Sequence, residues 1–182
     1  HFNAMLVLDP ANVAAAVAKA AILFALGQPD EAWPLYRRRH EIFWGAGRAL
    51  PAPLWRGESP AGKTVLLTYE QGLGEQIMFA SMIPEIAAAA KTVIVECETR
   101  LVSLFARSFP GVEAVPWKQP WHPRVLARDL DFRAALGDPG EWLRSSFDHF
   151  PRHTGYLKAD PARTAALRAH YEQLAAGRPI IG

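Results

Sequence analysis

Residues 66–80 read "LLTYEQGLGEQIMFA". An apolar run enters a loop holding Gly72 and Gly74. Glu75 follows at once, and a second apolar run begins. A loop that only reverses the chain has no need of that order. The β-rich "TVLLTY" at 64–69 fits a strand buried on both faces, and the segment after Gly74 carries helical spacing. Glycines at such a junction open backbone conformations closed to other residues and permit close approach by a ligand. Ligands of an open parallel sheet sit at the carboxyl ends of its strands, which is where "EQGLGE" lies. A carboxylate in the first helical turn is stabilised by the helix dipole but repels a phosphate. The G-x-G-x-x-G spacing is not met, and the Lys-Ser/Thr of a P-loop is missing. Glu75 therefore suits binding a hydroxyl or taking its proton. The plainer reading is a tight βα turn with an acidic residue at the helix start.

Working downstream, "TVIVEC" at 92–97 and "VEAVPW" at 112–117 read as further strands, with a helix over 100–109 between them. Twenty-eight residues separate Thr64 from Thr92, which is βαβ spacing and predicts a parallel sheet. A weaker strand falls at 129–132, and "DPGEWLRSSF" opens a short helix. A clearer helix covers 160–177, with Asp160 as N-cap, Pro161 at the first helical position and Gly177 as the stop. Arg178–Gly182 begin what reads as another strand, so the sequence is expected to be part of a longer protein or its last segment to lie against something absent here. The fold class is α/β: a Rossmann-like, three-layer parallel sheet flanked by helices.

Working upstream, residues 11–26 have apolar positions at Val13, Val17, Ala20 and Phe24 in helical spacing, closed by Gly27. A second helix starts at Pro29 and Asp30 and runs towards Trp44, with Pro34 near enough to its start to be tolerated. The short turn between the two predicts an antiparallel helical hairpin. Residues 45–63 are rich in Gly and Pro and read as a linker. The domains are then 5–50, a helical hairpin, and 51–182, the α/β lobe. His1–Ala4 read as an added leader and are set outside the fold.

Half of the 182 residues are apolar and 21% are charged, with a net charge of +2. That balance is too mild to argue for nucleic acid or an anionic membrane. The one cysteine, Cys97, allows no internal disulfide and fits a cytoplasmic location. No apolar run is long enough to span a membrane.

The block from Trp55 to Ala80, "WRGESPAGKTVLLTYEQGLGEQIMFA", resembles "W-x-G-x-x-L-x-G-K-x-L-L-L-x-x-E-Q-G-L-G-D-x-I-Q-F-x-R" of bacterial tetratricopeptide-repeat (TPR) proteins. These carry a C-terminal glycosyltransferase-like region similar to the heptosyltransferases and other two-lobed GT-B enzymes. "ALGQPDEAWPLYRRRHE" looks like the last repeat before such a region, and "TGYLKAD" like the segment crossing to the second lobe. The resemblance implies the acceptor-side lobe of a glycosyltransferase, preceded by one TPR-like hairpin. It implies a nucleotide-sugar donor held by a second lobe missing here, an acceptor hydroxyl, and no cofactor. The family's acid after the second glycine is a candidate base, and that position is Glu75, a Glu where Asp is usual. Gln71, Gly72, Leu73 and Gly74 are implied as substrate-binding neighbours. Ser81 stands where the family has Arg. Without a second lobe the chain alone is expected to be inactive.

Trp117, Trp121 and His122 follow the third strand. Trp117 and Trp121, with His122, are candidates for lining a sugar site, since pyranose faces stack on aromatic rings; core or interface packing is the plainer role. Arg37, Arg38 and Arg39 read as a solvated helix face, and Cys97 as a buried, inert thiol. His149 and His153 lie four apart, but Pro151 between them spoils metal spacing, so no metal site is assigned. No G-x-S-x-G nucleophile motif is present. A reading from another class is a TPR-type interaction module that binds a protein partner through its helices and carries an inactive α/β remnant. A nucleotide-binding Rossmann domain ranks third.

Overall fold

The computed structural model describes residues 1–43, 49–152 and 155–180. The expectations for Trp44, residues 45–48, His153, Thr154 and a strand through Ile181 and Gly182 fall outside them. Four strands form one parallel sheet: β1 (Thr64–Thr68), β2 (Thr92–Cys97), β3 (Val112–Pro116) and β4 (Phe132–Ala135), in the order β3-β2-β1-β4. Val65 pairs with Val93 on one side and Phe132 on the other. The chain leaves β3 at one edge and returns at the opposite edge beside β1. That reversal places the switch point of this Rossmann-like sheet between β1 and β4.

The strand expected at 129–132 lies three residues later. Asp131 is held at the sheet's entry, its carboxylate accepting from Thr64 N–H at 2.9 Å and Lys63 Nζ at 3.1 Å. Leu130 turns into a small core instead, and pairing begins only at Phe132.

Alternation along β1 feeds two cores. Val65 and Leu67 face α5 (Leu73–Phe79), α6 (Ile83–Ala89) and α7 (Val102–Ser108), packing with Phe79, Ile83 and Phe105. Leu66 faces the other way, with Ile94, Val115, Ala52, Val125 and Leu130. This second face is covered by irregular segments around Ala52 and Val125, where a third layer of helix was expected. Pro116, Pro120 and Pro123 crowd the connection from β3, and the chain there makes only a short 3₁₀ turn at Pro123–Leu126. Residues 50–55 are likewise not a free linker. Pro53 O accepts from Arg133 N–H at 2.8 Å, and Trp55 N–H donates to Arg133 O at 2.7 Å, which covers the outer edge of β4.

At the N-terminus α1 (Phe2–Leu8) includes residues set outside the fold by the sequence, though it buries none of them. The hairpin follows as α2 (Val13–Ala25) and α3 (Pro29–Arg37). Gly27, at φ +79°, lets Gln28 N–H reach Leu23 O at 2.9 Å, the Schellman closure of a helix. The buried stripe of α2 runs through Ala15, Ala16, Ala20 and Leu23, rather than through Val13 and Val17. Small residues there let Ala32 of α3 approach closely. The helix expected to reach Trp44 breaks at Arg38 and Arg39 before a short α4 (His40–Phe43). Arg39 N–H bonds to Tyr36 O at 3.0 Å, a tightened turn that aims its side chain inward.

The hairpin is docked on the lobe. Trp33 Nε1 donates to Arg144 O at 2.8 Å, beside the short α8 (Gly140–Leu143). The indole lies so close to Gly140 that a β-carbon there would collide with it. Arg144 is itself held by Glu85 of α6. The last helix, α9 (Pro161–Ala175), is capped by Asp160, which accepts from Arg163 N–H at 2.9 Å, and buries no residue. Among the described residues no helix is long and apolar enough to cross a membrane.

Candidate functional site

The loop 69–72 and the first turn of α5 sit at the carboxyl ends of β1 and β2, and their shape is set by a buried amide. Gln76, fully buried, donates through Nε2 to Glu70 O at 3.1 Å and Gly72 O at 3.2 Å. Its Oε1 accepts from Glu98 N–H at 2.8 Å, so one side chain ties the loop to the end of β2. The two glycines work differently from the sequence expectation. Gly72 has φ −103° and neither glycine has a positive φ, so no left-handed backbone is used. A β-carbon at Gly72 would stand 2.5 Å from Glu75 Oε2, so a side chain there would push the Glu75 carboxylate aside. Gly74 stands in open space.

Glu75 is partly buried and lies over Gly72 at the start of α5. From this position a glutamate can reach back to the N-cap N–H in a capping box. Among the described residues it makes neither that bond nor an ion pair. Tyr69 is its neighbour: burial, then Glu98, then Glu75 push the Tyr69 phenol up. The Tyr69 hydroxyl donates to Gln71 O at 2.8 Å. Tyr69 also stacks on Trp117, with ring centroids 4.5 Å apart and planes 22° apart. Trp117 is 38% exposed, and Trp121 follows at 6.3 Å. Carboxylate and aromatic shelf thus share one mouth of the sheet.

The structure does not bring every candidate there. Leu73 packs against the principal core, a hydrophobic anchor for the loop. His122 caps the 3₁₀ turn, its Nδ1 accepting from Arg124 N–H at 3.3 Å. Cys97 is buried with its thiol pushed up to about 12, first by burial and then by Glu96 and Glu98. Among the described residues no cluster of His, Cys, Asp and Glu could hold a metal ion.

Two residues at this mouth carried no functional weight in the sequence. Glu70 is fully buried and Arg39 is 1% exposed, so the basic run is not simply a solvated face. Arg39 donates to Glu70 through Nε at 3.2 Å and Nη2 at 2.8 Å, and to Asp138 Oδ1 at 2.8 Å. Gly137 N–H completes the shell of Glu70 at 3.1 Å, and His40 Nε2 lies 2.8 Å from Asp138. Burial opposes ionisation of Asp138, but the His40 and Arg39 contacts outweigh it and hold its carboxyl below the usual range. The guanidinium lies 4.3 Å from the Tyr36 ring centroid. The sequence reads the helix straight through 38–39; the break found there turns one arginine of three away from water.

No family model matches the chain, and no solved structure matches it. It is 35% identical over 185 residues to Protein FlbA of Caulobacter vibrioides. That alignment covers 91% of this chain and 30% of the length of FlbA.

Proposed function

We propose that this chain is the acceptor-side lobe of a bacterial glycosyltransferase-like protein with a TPR-like hairpin in front. The observation that carries the reading is Glu75: a carboxylate without a hydrogen-bonding partner among the described residues, at the carboxyl mouth of a parallel sheet. Beside it lies the Tyr69–Trp117 shelf, whose half-exposed indole suits the face of a sugar ring. Glu75 binds the acceptor hydroxyl and takes its proton as the hydroxyl attacks the anomeric carbon of the donor sugar, whose bond to the phosphate oxygen breaks so that the nucleotide leaves. Gln71 offers an amide to the same acceptor, while Gly72 leaves room for the carboxylate. Transfer requires a nucleotide-sugar, held by a second lobe. A reducing cytoplasm suits the single buried thiol.

The test is Glu75→Gln in a longer protein that includes the second lobe, assayed for sugar transfer from a panel of nucleotide-sugars. Loss of a general base lowers turnover by about 10²–10⁴-fold with little change in donor binding. Unchanged turnover removes Glu75 from the chemistry.

A further inference from the structure

The helix that carries Glu75 is short and ends at a break. Regular α5 stops at Phe79, the chain tightens into a 3₁₀ turn at Ala80–Met82, and α6 starts at Ile83. Pro84, in the first turn of α6, has no N–H to offer Ala80 O, so one continuous helix cannot run through the junction. A 3₁₀ stretch between two helical segments is a place where a chain can hinge. The orientation of α5 is therefore set by its contacts to the side. Gln76 ties its first turn to the loop and to β2, and Phe79 is buried in the principal core.

A third hold comes from far along the chain. The part-buried Tyr156 hydroxyl donates to Ile77 O at 2.8 Å, two residues after Glu75. Tyr156 and Leu157 pack against the principal core. The next residues fasten to α7: Lys158 N–H donates to Ser108 Oγ at 2.9 Å, and Arg107 Nε donates to Lys158 O at 2.7 Å. Asp160 then caps α9. Residues 156–160 thus form a strap that crosses from the Glu75 helix to α7 and carries α9 at its end.

We propose that Tyr156 is a positioning residue: its hydroxyl latches α5 through Ile77 O and so fixes where the Glu75 carboxylate stands. The latch is independent of what Glu75 does, but its effect on turnover rests on the reading of Glu75 as the base. A general base works within about 3 Å of its proton, so a small swing of α5 about the 80–82 turn takes it out of reach.

The experiment compares Tyr156→Phe with Ser108→Ala. Each removes one hydroxyl from the contacts of the strap, but only the first touches α5. Amide hydrogen exchange is read on the 182-residue chain. In Tyr156→Phe the amides of residues 76–79 are expected to exchange about three- to tenfold faster, the scale of one lost hydrogen bond, with residues 106–108 unchanged. In Ser108→Ala residues 76–79 keep the parent rate. Sugar transfer is then measured in the longer protein with the same nucleotide-sugar panel, Glu75→Gln alongside. Tyr156→Phe is expected to lower kcat about tenfold with the donor KM unchanged, and Ser108→Ala to leave both unchanged. Unaltered exchange in residues 76–79 overturns the proposal, as does an equal rise in both variants. So does an unchanged kcat in Tyr156→Phe where Glu75→Gln abolishes transfer. Unchanged transfer in Glu75→Gln removes the base reading alone, and the exchange result then decides the latch.

Discussion

The loop after β1 presents two glutamates five residues apart, and they meet opposite surroundings. On the hairpin side Glu70 is fully enclosed and bound by Arg39 and Gly137 N–H. On the open side Glu75 rests over Gly72 with no partner fixed to it among the described residues. A buried carboxylate survives only when its charge is answered, so Glu70 is committed to holding the hairpin on the lobe. A half-exposed carboxylate keeps its water, and its lone pairs stay available. One short loop thus divides its acids between architecture and chemistry, and Gln76 keeps the two sides in register.

The largest effect expected from breaking this contrast is Arg39→Met. It leaves Glu70 buried without its cation and deprives Asp138 of one, so a loss of about 3–5 kcal/mol is expected, read by urea denaturation. Next comes Gly140→Ala, whose new methyl group runs into the Trp33 indole. Overpacking there should cost about 1–3 kcal/mol and loosen the hairpin, seen as faster hydrogen exchange in α2 and α3 than in the sheet. A smaller effect lies in acid. The folded-state pKa of Asp138 is lowered, so its contribution is complete above the ordinary aspartate range and is lost as pH falls through the lowered value. Asp138→Asn should flatten the acid limb of stability against pH, whereas Asp148→Asn, in an exposed turn, should leave it unchanged.

What was legible followed from local rules. Strand β2 fell where its apolar, β-branched run lies, and the α9 N-cap was readable from Asp-Pro because the cap depends only on neighbouring residues. What was not legible depended on partners far along the chain. Arg39 looked like its neighbours Arg37 and Arg38 until Glu70 and Asp138, 31 and 99 residues away, were brought to it. The start of β4 was set by pairing with Val65, and alternation in 129–132 could not reveal it. At the candidate site, Glu75 was singled out at the strand–helix junction and Trp117 after the third strand, but the stacking of Tyr69 on Trp117 was not readable. Nor was the approach of the Glu75 carboxylate to Gly72, which depends on the folded turn.

The central claim is that the two glutamates do different work, and paired denaturation of Glu70→Gln and Glu75→Gln tests it most directly. Glu70→Gln is expected to lose about 3 kcal/mol, because buried Arg39 is left with Asp138 as its remaining countercharge. Glu75→Gln should stay within about 0.5 kcal/mol of the parent protein, as a side chain with no fixed contact does. Equal losses in the two variants, or a larger loss at position 75, would contradict the account.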